Sequence, residues 1–360
     1  MTRVLTVNAG SSSLKLDVVE DDDTVRHREH LEEWDGETDA ISKLVSDAQP
    51  DAVGHRVVHG GAAVHGPMVL DDAALAVIRD AGELAPLHQP RALAGIDAVS
   101  RAAPALPGVG CFDTVFHQTL PAEASTYAVP GEWRQRFGVR RFGFHGLSHA
   151  YVARRTAELL GRAVSELRTV SAHLGSGASL CAIVGGRSVD TTMGMTPMEG
   201  LVMGTRPGSV DPGMILWLLR CGHLAASDIE TALESRSGLV GVGGSSEMGE
   251  LLESSSECAR LAVDVYLHRL VGSIASMAAA MNGMDALVFT GGVGENAASI
   301  RTRAGERLAF LGVAIDSQAN ESDPVDADIS EDGSVPRTLV VQSREDLEIA
   351  RQVRACLDAG

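Results

Sequence analysis

Two arginines stand in contexts unlike those of ordinary surface cations. Arg56 lies in Gly54-His55-Arg56-Val57-Val58-His59-Gly60-Gly61, and Arg206 in Met203-Gly204-Thr205-Arg206-Pro207-Gly208. A guanidinium at a strand end, or in a Gly/Pro turn, can fork two oxygens of a carboxylate or phosphate. Two carboxylates sit in comparable places: Asp113 ends the apolar run Val109-Gly110-Cys111-Phe112, and Glu345 follows the apolar run 338–341. Both are available to Mg2+, which takes one or two carboxylates and fills its shell with water and substrate phosphates.

A third feature is the loop Asn8-Ala9-Gly10-Ser11-Ser12-Ser13 between two strand-like runs. Gly10 permits a tight turn, and the backbone N–H groups, the hydroxyls and Lys15 can converge on anionic oxygens. Glycines recur at 205–212, 241–246 and 287–296; the last segment follows a predicted strand and opens a helix, whose N-terminus favours an anion. It lacks the Gly-Lys-Ser/Thr of a P-loop, and the GxGxxG dinucleotide pattern is absent. Eight of the twelve histidines fall between His55 and His173. His145 and His149 have i, i+4 spacing, but Gly143 and Gly146 argue against a regular helix there, and no HExxH glutamate accompanies them, so hydrogen bonding fits better than metal ligation. Each feature also has an ordinary alternative: a surface ion pair, a structural histidine, a plain turn.

The elements that must position these residues read as α/β. Strand-length apolar runs occur at 4–7, 14–19, 53–58, 109–112, 169–172, 179–184, 286–290 and 338–341, and helix-period segments at 71–81, 90–102, 148–160, 212–220, 258–282, 297–309 and 345–358. The acidic, aperiodic stretch 319–335 reads as a surface connection. Residues 170–184 repeat the strand, Gly/Ser loop, strand plan of the N-terminus, which predicts two similar domains with a phosphate-bearing ligand between them. Chance likeness of two Gly/Ser-rich hairpins is the alternative.

The length, 360 residues, suits two domains, and 48 acidic against 30 basic residues give a net charge of −18, which argues against a nucleic-acid binder. No apolar stretch approaches the roughly 20 residues of a membrane-spanning helix, and no leader precedes the first strand, so a cytoplasmic protein without a membrane partner is expected. Five scattered cysteines (Cys111, Cys181, Cys221, Cys258, Cys356) read as buried free thiols.

From Val4 to Arg351 these segments together resemble the acetate kinase family, carboxylate kinases of the actin, sugar-kinase and heat-shock ATPase superfamily. The motifs are NAGSSSLK at 8–15, GHRVVHGG at 54–61, LAPLHQP at 84–90, FDTVFHQTLP at 112–121, FGFHGLSH at 142–149, TPMEGLVMGTRPGSVDP at 196–212, FTGGVGEN at 289–296 and REDLEIAR at 344–351. The resemblance implies two duplicated actin-like (ribonuclease H-like) α/β domains with an interdomain cleft. Residues 1–148 plus the helix 347–360 would handle acetate and phosphate, and 149–346 the nucleotide. It further implies the reaction ATP + acetate ⇌ ADP + acetyl phosphate by direct in-line transfer, Mg2+ (with Mn2+ as a substitute) as cofactor, and a homodimer.

Carried over by motif, Arg56 and Arg206 would clamp acetate and the transferring phosphoryl group, and His145 would donate to its equatorial oxygens. Asn8, Ser11, Ser13 and Lys15 would hold terminal phosphates; Asn8, Asp113 and Glu345 would position the metal. His173, Gly175 and Gly177, with Glu247, Gly292, Gly294 and Asn296, would contact the nucleotide. Val58, Leu87, Phe144 and Pro197 would receive the methyl group of acetate. Two positions depart from the family pattern: Ser176 replaces the usual Asn, and Gly249 stands where an arginine usually stacks on adenine. Another nucleotide or pyrophosphate as donor, a longer acyl acceptor, and a silent actin-like nucleotide-binding module therefore stay open.

Overall fold

A computed structural model describes residues 2–10, 13–86 and 88–359 of the chain. It divides into two compact units. The first comprises Met1–Gln118, Phe144–Tyr151 and Arg344–Gly360; the second comprises Thr119–Gly143 and Val152–Ser343.

The first unit is built on β1 (Val4–Ala9), β2 (Leu14–Val19), β3 (Val25–Leu31), β4 (Ala52–Val57), β5 (Met68–Val69) and β6 (Gly108–Phe112), in the order β3-β2-β1-β4-β6-β5. The strands β1, β4 and β6 run parallel, while β2, β3 and β5 are antiparallel to their neighbours. Both faces of the sheet are apolar and both are covered, as parallel strands require. On one face Leu5, Val7, Leu14 and Leu16 pack with Ile41 and Leu44 of helix Asp39–Ala48 and with Ala98 and Val99 of helix Gln89–Ala102. On the other, Val4, Val19, Ala52 and Val109 pack with Ile349, Ala350 and Val353 of the last helix, Glu345–Asp358. That helix lies so close to β4 that a Cβ on Gly54 would come 2.4 Å from the Ile349 side chain, so glycine is required there.

The second unit repeats this plan with β7 (Arg168–Leu174), β8 (Ala178–Val184), β9 (Arg187–Thr191), β10 (Ala286–Thr290), β11 (Ala327–Asp328) and β12 (Arg337–Val340), ordered β9-β8-β7-β10-β12-β11. Each pairing has the sense of its counterpart in the first unit: β7, β10 and β12 are parallel, and β8, β9 and β11 antiparallel. The duplication read from residues 170–184 is therefore real.

One expectation is met in part and one needs correction. The helix Gly146–Leu160 includes His149 and starts on Gly146, where a Cβ would come 2.1 Å from the Asp113 carbonyl oxygen, but His145 lies outside it in a left-handed conformation, so the two histidines do not share a helix. Cys221 and Cys258 are exposed rather than buried, whereas Cys111 and Cys181 are buried and Cys356 is partly so; all five are free thiols. Cys221 follows the helix Pro212–Arg220, which buries none of its residues, and Cys258 lies in the first turn of Glu257–Ala280, on its open side. No helix among the described residues is long and apolar enough to cross a membrane.

Candidate functional site

Strand periodicity assembles the charged cluster of the first unit. Side chains alternate between the faces of a sheet, so Gly54 and Arg56 of β4 share a face. In the parallel pairings Val7 lies opposite His55 and Cys111 opposite Arg56, which puts Asn8 and Asp113 on that face too, at the carboxyl ends of adjacent strands. Ligands of open α/β sheets bind at such ends. Lys15, exposed on β2, is the cross-strand neighbour of Asn8. The last helix packs over Gly54, and its first residue, Glu345, thereby meets Arg56.

The resulting contacts are specific. Arg56 donates to both oxygens of Asp113, from Nε at 3.1 Å and Nη2 at 2.6 Å, and from Nη1 to Asn8 Oδ1 at 3.2 Å. Asn8 Nδ2 donates to Glu345 Oε2 at 3.0 Å, and that oxygen lies 3.7 Å from Arg56 Nε. Burial opposes the charge on Arg56, but Asp113 and Glu345 outweigh it and hold the guanidinium firmly protonated. Burial likewise lifts the Asp113 carboxyl above the usual carboxylate range, against the pull of Arg56 and of the His145 backbone N–H. The donors Asn8, Asp113 and Glu345 fit Mg2+: two carboxylates and an amide oxygen meet in one cluster, and water and phosphate would complete an octahedral shell. Among the described residues no group of three or more His, Cys, Asp or Glu side chains forms a self-sufficient metal cage.

His145 stands immediately before the helix Gly146–Leu160 with φ +55°, a left-handed conformation that non-glycine residues adopt at a cost of order 1 kcal/mol or more. Phe144 is buried with its ring edge-on to His59, and Val58 is buried as well. The Gly10 N–H donates to the Ser13 carbonyl at 2.8 Å. Ser11 and Leu87 lie outside the described residues.

In the second unit His173, Gly175, Gly177, Gly292, Gly294 and Asn296, expected at the nucleotide, follow or end β7 and β10. His173 of β7 is in register with Thr290 of β10. The next residue, Gly291 (φ +78°), passes so close to Leu174 that a Cβ would lie 3.0 Å from its backbone. Gly175 N–H donates to Gly177 at 3.0 Å, and the helix Gly291–Asn296 follows β10 directly. Its first N–H is already taken: Gly291 donates to Glu295 Oε1 at 2.8 Å, and Ser343 N–H to the same oxygen at 2.9 Å. Gly292 faces open space, and Gly294 packs on Phe289. Asn296 turns back onto the Gly292 carbonyl at 2.8 Å. Glu247 is exposed and caps nothing with its side chain.

Arg206 lies apart from the sheet, in a loop whose backbone is pinned. Ser237, Leu239 and Val240 N–H groups, at the start of helix Gly238–Gly243, donate to the carbonyls of Thr205, Met203 and Gly204 at 2.9, 2.9 and 3.0 Å. The Arg206 guanidinium donates to the Pro197 carbonyl. Among the described residues no carboxylate lies within 4 Å of it, and burial destabilises its charge, with Glu234 only partly opposing.

The acetokinase family profile matches residues 37–351. The chain belongs to that family. The acetate kinase of Deinococcus deserti is 49% identical over 318 residues, 86% of this chain and 79% of that one. The acetate kinase of Gloeobacter violaceus is 45% identical, over 92% of this chain and 82% of its own. Among solved structures, the acetate kinase of Porphyromonas gingivalis superposes with a TM-score of 0.90 at 36% identity, covering 99% of this chain and 100% of that one. A propionate kinase from Francisella tularensis gives the same TM-score at 34% identity, covering 98% and 99%.

Two features of this acetokinase-family chain escaped the reading of its sequence. Gly238 (φ +64°) sits where a Cβ would come 2.2 Å from the Met203 carbonyl oxygen, so the Arg206 loop needs glycine there. Its surroundings, Ser237-Gly238-Leu239-Val240-Gly241, carry no signal for that role. Glu199, inside the family motif TPMEG, binds Arg141 Nη2 at 2.9 Å and the Tyr127 hydroxyl, and burial pushes that phenol above its ordinary range. At the two departures from the family pattern, Ser176 offers its carbonyl to Gly204 N–H at 3.1 Å, and Gly249 has no atom within 4 Å of where a Cβ would be.

Proposed function

We propose that this chain is an acetate kinase that transfers the γ-phosphoryl group of ATP to acetate, reversibly and directly. The carboxylate oxygen of acetate forms the new bond to phosphorus, and the bond to the bridging oxygen of ADP breaks in line with it, ADP leaving with the electron pair. Acetate is already ionised, so no general base is required. A loose transition state spreads charge over three equatorial oxygens, which makes catalysis a matter of positioning and cationic stabilisation. The observation that carries this reading is the meeting of Asn8, Arg56, Asp113 and Glu345 at the carboxyl ends of three adjacent strands.

In this reading the first unit handles the phosphoryl acceptor and the second the nucleotide. Arg206, desolvated and without a carboxylate partner, is the cation with charge to offer; Arg56 adds its own and His145 donates a hydrogen bond to the equatorial oxygens, with Lys15, Ser11 and Ser13 on the terminal phosphates. Asn8, Asp113 and Glu345 would hold Mg2+, which when bound offsets phosphate charge. Val58, Leu87, Phe144 and Pro197 would take the methyl group. Gly175, Gly177, Gly292 and Gly294 would bring backbone close to the nucleotide, with His173, Glu247 and Asn296 around it. The test is acetyl hydroxamate formation from acetate and Mg·ATP. Turnover with ATP is expected, and its absence would sink the proposal. The open space at Gly249 favours one second reading, a donor other than ATP, so GTP and pyrophosphate belong in the same assay.

We also read the protein as a homodimer. The helix Pro212–Arg220 buries none of its residues and exposes Met214, Leu216, Trp217 and Leu219, apolar side chains of the kind that mark interaction surfaces. Trp217→Arg should shift sedimentation from dimer to monomer; a wild type that sediments as a monomer refutes the reading.

A further inference from the structure

The conformation of His145 is costly, and three hydrogen bonds surround it. Its own N–H donates to the Asp113 carboxylate, and Gly146 N–H donates to the Asp113 carbonyl at 2.9 Å. The third restraint comes from His117, fully buried, whose Nε2 lies 2.9 Å from the Phe144 carbonyl oxygen. A carbonyl only accepts, so Nε2 carries the proton and donates. The Phe144 carbonyl belongs to the peptide that His145 follows, and its orientation sets the φ of His145. The His117 ring is itself held edge-on by Phe116 and His149 at centroid distances of 5.7 Å, and the first helical bond runs from His149 N–H to the His145 carbonyl at 3.0 Å.

We infer that His117 is a positioning residue, which aims the His145 imidazole by fixing the Phe144–His145 peptide through its Nε2–H. This rests on the role given above to His145. Loss of the bond frees that peptide to rotate toward ordinary backbone space, and the imidazole then points away from the phosphoryl oxygens. The substrates are gripped elsewhere, so the effect belongs in kcat rather than KM.

The test compares three His117 variants in wild-type and His145→Ala backgrounds, with thermal midpoints measured for each. His117→Phe keeps the ring and removes the donor; kcat should fall about tenfold or more, with KM for acetate and ATP within about twofold. His117→Gln, whose amide nitrogen reaches the place of Nε2, should recover most of the loss. If the Phe variant fails to fold, His117→Asn, too short to reach, takes its place with the same expected loss. In the His145→Ala background none of these changes should lower kcat further. An equal loss in both backgrounds, or a Gln variant no better than Phe, overturns the proposal. Full activity of His145→Ala alone would instead remove the role of His145, and the positioning claim with it.

Discussion

The strands β4 and β10 hold the same place in their sheets, each between two parallel neighbours, and they differ in what they deliver. Strand β4 carries Arg56 into contact with Asp113, Asn8 and Glu345, so its end is a knot of one cation and two carboxylates bridged by an amide. Strand β10, Ala286–Thr290, is buried throughout and carries no charge; it leads straight into glycines that bring backbone against Leu174. The cation of the second unit, Arg206, sits off the sheet in a pinned loop without a carboxylate partner. One topology thus supports two designs. On the proposed reading, function and folding in the first unit draw on the same ion pairs, whereas in the second the backbone holds the loop and the guanidinium has no carboxylate to neutralise it.

The largest expected effect separates the two arginines. Arg56→Ala leaves Asp113 and Glu345 without their counter-ion, and removing one partner of a buried pair typically costs about 3–5 kcal/mol. Arg206→Ala loses a hydrogen bond to a carbonyl but relieves an unpaired, desolvated charge, so its stability should change by about 1 kcal/mol or less. Both should lower kcat/KM by roughly a thousandfold or more. Urea unfolding beside the hydroxamate assay reads the two quantities separately. The contrast breaks if Arg206→Ala unfolds as readily as Arg56→Ala. It sharpens if adding Asp113→Asn to Arg56→Ala restores stability but not activity.

How much of this was legible in the sequence follows the same division. The eight strands read from apolar runs are all present: β1, β4, β6, β7, β10 and β12 are parallel and doubly covered, which makes them apolar, and the antiparallel β2 and β8 bury most of their residues as well. The four missed ones are β3, half-exposed and charged along Arg26-His27-Arg28-Glu29-His30, the short β9, and the two-residue β5 and β11. Asn8, Arg56, Asp113 and Glu345 stood out as residues, but their meeting depends on register and on the approach of the last helix to Gly54, which no local pattern encodes. The pinning of Arg206 by Ser237, Leu239 and Val240 joins segments about thirty residues apart, and the helix Gly238–Gly243 contradicts the low helix propensity of its glycines. Tertiary hydrogen bonds decide that helix. The left-handed His145 was equally hidden, since the bonds around it, from its own N–H to Asp113 and from His117 to the Phe144 carbonyl, are tertiary.

A smaller effect tests the first unit's reliance on buried polar groups. His55 lies on β4 beside Arg56 but on the opposite face, and burial pulls its pKa from 6.5 down to about 3. Folded His55 is therefore neutral over a range in which the unfolded chain takes up a proton. Below about pH 6.5 the unfolded state binds more protons, so this group's contribution to stability falls as pH falls, by at most about 1.4 kcal/mol per pH unit. In the second unit Asp285, held below the usual carboxylate range by Arg168, loses its contribution only at more acid pH, as it approaches 3.8 and falls below. The window from pH 6.5 to 4.5 thus isolates His55 from that pair. Urea midpoints across this window should fall for the wild type and fall less steeply for His55→Leu, by up to about 3 kcal/mol at the acid end. Equal slopes would mean that His55 is protonated in the folded chain, and that β4 tolerates a second cation on the face away from its carboxylates.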